Sequence, residues 1–118
     1  MQETLDSLMQ FLNEKNIKIV IFDVSGGFFH TNIPESIIVE NIILQALQFL
    51  EIFDGLGKEY PQRFSLDYDK GTSWIFTIKR NFNLAFIAIL IDKKTDFKEQ
   101  IKLYQMISEL KKHIEEKM

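Results

Sequence analysis

The sequence predicts an α+β fold of the α/β class, a three-layer α-β-α arrangement with helices on both faces of a five-stranded antiparallel sheet. Three observations predict it. Ile17 to Val24 (IKIVIFDV) and Leu84 to Ile91 (LAFIAILI) are apolar at nearly every position, as expected of central strands that need cover on both faces. Ile37 to Phe53 (IIVENIILQALQFLEIF) is a helix apolar around most of its circumference. The turns inside each strand group are of hairpin length, which makes successive strands antiparallel.

Leu5, Leu8, Met9 and Leu12 recur at helical spacing between Glu3 and Lys15, predicting a short amphipathic helix that ends near Asn13 to Asn16. The strand Ile17 to Val24 follows. Ser25-Gly26-Gly27 is read as a hairpin turn because glycine accepts positive φ without steric cost, and Phe28 to Thr31 as the short returning strand. Asn32-Ile33-Pro34-Glu35 opens the long helix, with Asn32 as its expected cap, Pro34 in its first turn and Glu35 near its positive end. Its stop is Asp54-Gly55-Leu56-Gly57, and Tyr60-Pro61 ends the linker.

Arg63 to Asp69 alternates, with Phe64, Leu66 and Tyr68 on one face and Arg63, Ser65, Asp67 and Asp69 on the other, marking a strand with one wet face. After the turn Asp69-Lys70-Gly71-Thr72, Ser73 to Lys79 sets Trp74, Phe76 and Ile78 against Ile75, Thr77 and Lys79. Arg80-Asn81-Phe82-Asn83 turns into Leu84 to Ile91. Thr95-Asp96 caps the last helix, with Asp96 and Glu99 at capping-box spacing, and Phe97, Ile101, Tyr104, Ile107, Leu110 and Ile114 form its expected buried stripe. The long helix should cover one sheet face while the first and last helices share the other.

At about 100° per residue, Val39, Ile43, Ala46, Leu50 and Phe53 make the stripe of the long helix that lies on the sheet. Ile38, Ile42, Gln45, Phe49 and Ile52 make a second stripe at the four-and-three spacing by which helices pack together. A chain of 118 residues is expected to form one domain, with little protein in which to bury both stripes. Self-association through this helix is therefore expected.

Composition excludes several function classes. A net charge of -3 gives no electrostatic reason to seek nucleic acid. The absence of cysteine removes disulfides, thiol catalysis and thiolate metal sites, and suits a reducing compartment. The amino-terminal stretch has neither a basic region nor a continuous apolar run, so neither signal nor anchor is expected and the default location is cytoplasmic. The apolar stretches Ile37 to Phe53 and Leu84 to Ile91 are read as too polar or too short for the ~20 residues of a membrane span.

No catalytic residue, metal site or cofactor is expected. Asp54-Gly55-Leu56-Gly57-Lys58 lacks the spacing and the Ser or Thr of a phosphate loop and follows a helix, so left-handed glycine at a helix end explains it better. His30 and His113 have no second ligand at metal spacing. Asp23, Asp67, Asp69 and Asp92 sit in or beside strands and turns, where acids bond turn amides or stay solvated, and they form no acid pair. Ser25 feeds a strand where a nucleophile elbow feeds a helix. Trp74 and Tyr68 are read as core aromatics.

The element order, the length, the Asp23-Val24-Ser25-Gly26-Gly27 turn after an apolar strand and the long apolar helix after the hairpin resemble the Roadblock/LC7 domain family, over nearly the whole chain. That family includes Roadblock-type dynein light chains, subunits of lysosomal GTPase scaffolds and a bacterial gliding regulator. The resemblance implies the sheet order 2-1-5-4-3, which agrees with the central strands inferred from apolarity. It also implies dimerisation, either with itself or with a related Roadblock subunit, by pairing the third strand and second helix across subunits. The interface would then comprise Ile38, Ile42, Gln45, Phe49, Ile52, Arg63, Phe64, Ser65, Leu66, Asp67 and Tyr68. Self-pairing could set Arg63 against Asp67 or Asp69, although the same charges would equally solvate an open edge.

By this resemblance the chain is a noncatalytic dimeric platform for a small Ras-like GTPase, which would meet Glu40, Asn41, Leu44, Gln48 and Glu51 on the outer layer. The alternative is a structural adaptor subunit of a larger motor, trafficking or signalling complex without GTPase contact. A small-ligand sensor would instead require a sizeable cavity between sheet and helix. Relatives carry small, alanine-rich residues along the second helix where this chain has Ile42, Ile43, Leu44, Leu47 and Phe49, so a different helix approach is implied. The longin layout begins with a strand and is disfavoured by the first helix.

Overall fold

The computed structural model describes residues 2–25, 27–57, 61–80, 83–92 and 94–117. Gly26 of the expected glycine turn, Lys58 beyond the helix stop, Tyr60 of the linker, and Asn81 and Phe82 of the last hairpin turn lie outside the described residues. In chain order the elements are α1 (Gln2–Glu14), β1 (Lys18–Asp23), β2 (Phe29–Thr31), α2 (Ser36–Gly55), β3 (Arg63–Tyr68), β4 (Gly71–Arg80), β5 (Asn83–Asp92) and α3 (Phe97–Lys117). The strands form one antiparallel sheet of order β2-β1-β5-β4-β3. The two strands apolar on both faces, β1 and β5, lie beside each other inside it. Their outward neighbours could afford a wet face.

Each sheet face carries its own core. On one side Leu5, Leu8, Phe11 and Leu12 of α1 and Leu103, Ile107, Leu110 and Ile114 of α3 pack over Ile19, Ile21, Phe76, Ile78, Ile87 and Ile89. On the other, Val39, Ala46 and Leu50 of α2 cover Val20, Phe22, Ile75, Phe86 and Ala88. The alternation along β1, β4 and β5 sends successive side chains to opposite cores. That places α2 alone on one face and the other two helices on the second, as the sequence predicts.

Helix ends follow their local chemistry. α1 closes in a left-handed cap: Asn16 adopts φ 57, its amide donates to the Asn13 carbonyl, and the Ile17 amide donates to the Leu12 carbonyl at 2.9 Å. α2 ends the same way, with Gly57 at φ 64 donating to the Asp54 carbonyl. At the start of α3 the Asp96 carboxylate accepts from the Glu99 amide at 2.8 Å, as the capping-box spacing predicts.

Three expectations are corrected. Asn32 does not cap α2. That helix begins at Ser36 behind Glu35, which makes no side-chain cap bond, and Pro34 precedes the first turn. The Asn32 amide is used across space instead: its Oδ1 accepts from the Ile19 amide at 2.9 Å, and its Nδ2 donates to the Ile17 carbonyl at 2.8 Å and to Asn13 Oδ1 at 3.1 Å. Asn32→Ala strands the Ile19 N–H beside the sheet, and is expected to lower stability by about 1–3 kcal/mol. A denaturant midpoint measures it, with Asn32→Asp, which keeps the acceptor, falling between the two.

The second correction concerns α3. The buried stripe is Leu103, Ile107, Leu110 and Ile114, whereas Phe97, Ile101 and Tyr104 are exposed. Two apolar stripes run along this helix at the same spacing. Only the one through Leu103 continues to the last turn, and the core takes the longer stripe. The third is that α2, at 20 residues with Glu40, Glu51 and Asp54 its only charges, is long and apolar enough to cross a membrane by length and composition. It gains residues at both ends over the run read from the sequence.

Candidate functional site

The features that stand out chemically are the outer side of α2 and the open edge of β3. α2 buries only Val39, Ala46 and Leu50 among its 20 residues. Ile43 and Phe53, expected on the same stripe, are half-buried. The second stripe is partly housed by the chain itself. Ile38 and Ile42 pack at the margin of the α2 core, the Phe49 ring lies 4.9 Å from that of Phe64, and Gln45 Nε2 donates to the Tyr68 hydroxyl at 3.3 Å. Ile52 remains 54% exposed. Thus the stripe leans toward β3 and leaves its carboxy-terminal end uncovered.

Among the described residues β3 pairs with β4 alone, and no strand lies at its other edge. Phe64 and Leu66 are half-buried on the α2 side, and Tyr68 is 48% exposed. Arg63, Ser65 and Asp67 are exposed. Arg63 stacks over Trp74 and Tyr104 at 5.6 and 5.8 Å from their ring centroids, and Asp67 accepts from the Thr72 hydroxyl at 2.9 Å. An open groove of about 450 Å³ separates α2 from the sheet, between Ile38, Ile42 and Gln45 on the helix and Tyr68, Ser73 and Leu90 on the strands.

The outer arc of α2 holds Glu40, Asn41, Leu44, Gln48 and Glu51, all exposed. Leu44 at 56% and Ile37 at 68% stand among them as large apolar side chains in solvent. The arc carries acids and amides and no base. Together the arc, the half-covered stripe and the open edge form a continuous stretch of α2 and β3 suited to protein contact.

Titratable groups elsewhere have structural partners. Asp23 accepts from the Ser25 hydroxyl at 2.7 Å and the Phe28 amide at 3.1 Å. Burial pushes its carboxyl up, but these hydrogen bonds together outweigh burial and hold it below the usual carboxylate range. Asp92 accepts from the Lys94 amide at 3.0 Å. His113 Nδ1 lies 3.9 Å from the Glu116 carboxylate, and His30 is half-buried on β2. Among the described residues no three His, Cys, Asp or Glu side chains converge on a metal-sized site.

Trp74 is half-buried, edge-on to Phe76 and Tyr104, so the core reading holds for it in part, while Tyr68 belongs to the surface. The residues missed at the sequence level are Phe97, Ile101 and Tyr104, exposed on α3. The unbroken four-three-four spacing of Leu103, Ile107, Leu110 and Ile114 was the signal that could have freed them from the core.

No known family profile matches the chain. No curated protein matches it by sequence either. The likeness to the Roadblock/LC7 fold lies in topology: three helices around a five-stranded antiparallel sheet of order 2-1-5-4-3.

Proposed function

We propose that residues 1–118 form a single Roadblock/LC7-like domain that acts as a noncatalytic, dimeric, cytoplasmic platform binding or regulating a small Ras-like GTPase. The observation that carries this reading is the adjacency of a half-covered helix stripe and an open strand edge. A second copy supplies what both lack. Antiparallel pairing of β3 with the partner's β3 would satisfy the edge amides and carbonyls, which otherwise invite uncontrolled association. The same two-fold operation would bring the two α2 stripes together and cover Ile52 and Tyr68. Gln45 and Tyr68 would then lie near the seam as a polar pair in an apolar contact.

In this dimer the outer arcs of both α2 helices form one layer, with Leu44 as the apolar anchor among Glu40, Asn41, Gln48 and Glu51. The test is a binding titration against a panel of Ras-like GTPases loaded with GDP or a GTP analogue. Wild type is expected to bind at least one member. Leu44→Asp, still dimeric by light scattering, is expected to lose about tenfold or more in affinity. Unchanged binding by Leu44→Asp would remove that surface from the proposal.

The bulk of Ile42, Ile43, Leu47 and Phe49 favours a second reading, in which the partner on α2 is a different subunit. The chain would then be a structural adaptor. That reading predicts a dimer or heterodimer with no affinity for any GTPase of the panel. The groove beside α2 is open and is better suited to a protein side chain than to an enclosed small ligand.

A further inference from the structure

The flank of α3 carries an apolar strip that the two cores leave uncovered. Phe97, Ile101 and Tyr104 stand at i, i+4 and i+7 and are 75%, 44% and 44% exposed. They run about 10 Å along one side of the helix. At its Tyr104 end the strip meets the sheet, where Tyr104 and Trp74 lie edge-on with centroids 6.3 Å apart. Arg63 is held over both rings. A stacked guanidinium has given up much of its rotamer freedom before any ligand arrives, and its fork of N–H donors matches a carboxylate. Among the described residues no acid forms an ion pair with Arg63.

Charges of both signs surround the strip, and the cation that lies against its rings is Arg63. The acids are engaged: Glu99 pairs with Lys15 at 2.9 Å, Asp96 caps α3, and Asp67 holds the Thr72 hydroxyl. Glu109 lies on the α1 side of the helix, beside Glu3 and Ser7. Of the cations, Lys15 holds Glu99 and Lys102 lies over the Phe11 ring. Lys98 and Lys111 form no ion pair among the described residues, and neither does Arg63, whereas Lys112 lines a hollow with Glu115 and Glu116 at the far end of α3. Aromatic, arginine and aliphatic side chains in one exposed cluster are the composition of a binding hot spot.

We infer that the α3 strip and Arg63 form a second docking site, for an acidic amphipathic helix of a partner protein. One carboxylate of the incoming helix forks onto Arg63. Apolar side chains one and two turns away pack on Ile101 and Phe97, and a further acid meets Lys98. The site lies on the sheet face opposite α2, and it shares Arg63 with the β3 edge proposed to pair across the dimer.

The test is selection of phage-displayed helical peptides against the full chain, followed by titration of each clone with wild type, Arg63→Gln, Ile101→Ser and Leu44→Asp. The altered side chains are exposed, and circular dichroism checks that each variant folds. The expected clones carry Glu or Asp with apolar residues at helical spacing. They lose about tenfold or more on Arg63→Gln, weaken on Ile101→Ser, and bind Leu44→Asp as they bind wild type. Failure to recover any clone that depends on Arg63 and Ile101, or recovery only of clones without acids, would overturn the inference. Light scattering on Arg63→Gln supplies the remaining outcome. A change from dimer to monomer would give the carboxylate to a second copy of the chain and would likewise overturn it.

Discussion

Phe86→Ala is expected to cost about 3–5 kcal/mol of stability, because a full aromatic side chain is removed from the middle of the sheet. Phe86 is completely buried on β5, opposite Phe22 in the register with β1 and opposite Thr77 in the register with β4. Its ring stacks on that of Phe22 at 5.1 Å between centroids. It belongs to the core under α2, in which that helix buries Val39, Ala46 and Leu50 and packs Ile43 and Leu47 at the margin. Collapse onto a hole in the middle of a paired sheet is only partial, which adds a cavity cost to the lost burial. Chemical denaturation of Phe86→Ala beside wild type measures the loss, and Phe86→Leu, which keeps most of the volume, should recover much of it. A loss below about 1 kcal/mol for Phe86→Ala would contradict the two-core packing.

Gly71→Ala should be a damaging substitution at the start of β4. Gly71 closes the β3–β4 hairpin opposite Tyr68 and also pairs with Asp92. A Cβ placed there would sit 2.4 Å from the backbone carbonyl oxygen of Ile91. That neighbour is main chain in a central strand and cannot swing aside, so the ladder itself must move. The expected cost is at least the 1–3 kcal/mol typical of overpacking, roughly. Gly55→Ala is the control, since nothing lies near its added Cβ, and it should change the denaturation midpoint little. Equal effects from the two substitutions would contradict the close approach at Gly71.

The parts of the fold that were legible in the sequence are those set by periodicity. Two-sided apolarity put β1 and β5 inside the sheet, and alternation assigned Phe64 and Leu66 to one face and Arg63 and Ser65 to the other. What escaped depended on contacts between residues far apart along the chain. Asn32 has the chemistry of a cap and sits where a cap is expected, yet its amide finds Ile17 and Ile19 across the β1–β2 hairpin. On α3 two stripes competed for one core, and only the packed sheet decided between Ile101 and Leu103. The Arg63 cradle was invisible because Tyr104 comes from the last helix. For α2 the surplus stripe was legible, but its partial sheltering by Phe64 and Tyr68 was not.

That sheltering makes Ile52, and not Phe49, the position at which a charge probes the dimer alone. Phe49→Asp would break the Phe49–Phe64 contact inside the chain as well as any seam between chains. Ile52 lies on the same stripe, is 54% exposed, and can carry a charge in a lone folded chain. In a buried helix seam, two facing aspartates would be intolerable. The most direct measurement is therefore solution mass by light scattering, on wild type and on Ile52→Asp with matched circular dichroism. Wild type is expected at twice the 13.9 kDa chain mass and Ile52→Asp as a folded monomer. A monomeric wild type, or an Ile52→Asp protein that remains dimeric, would contradict the proposed dimer.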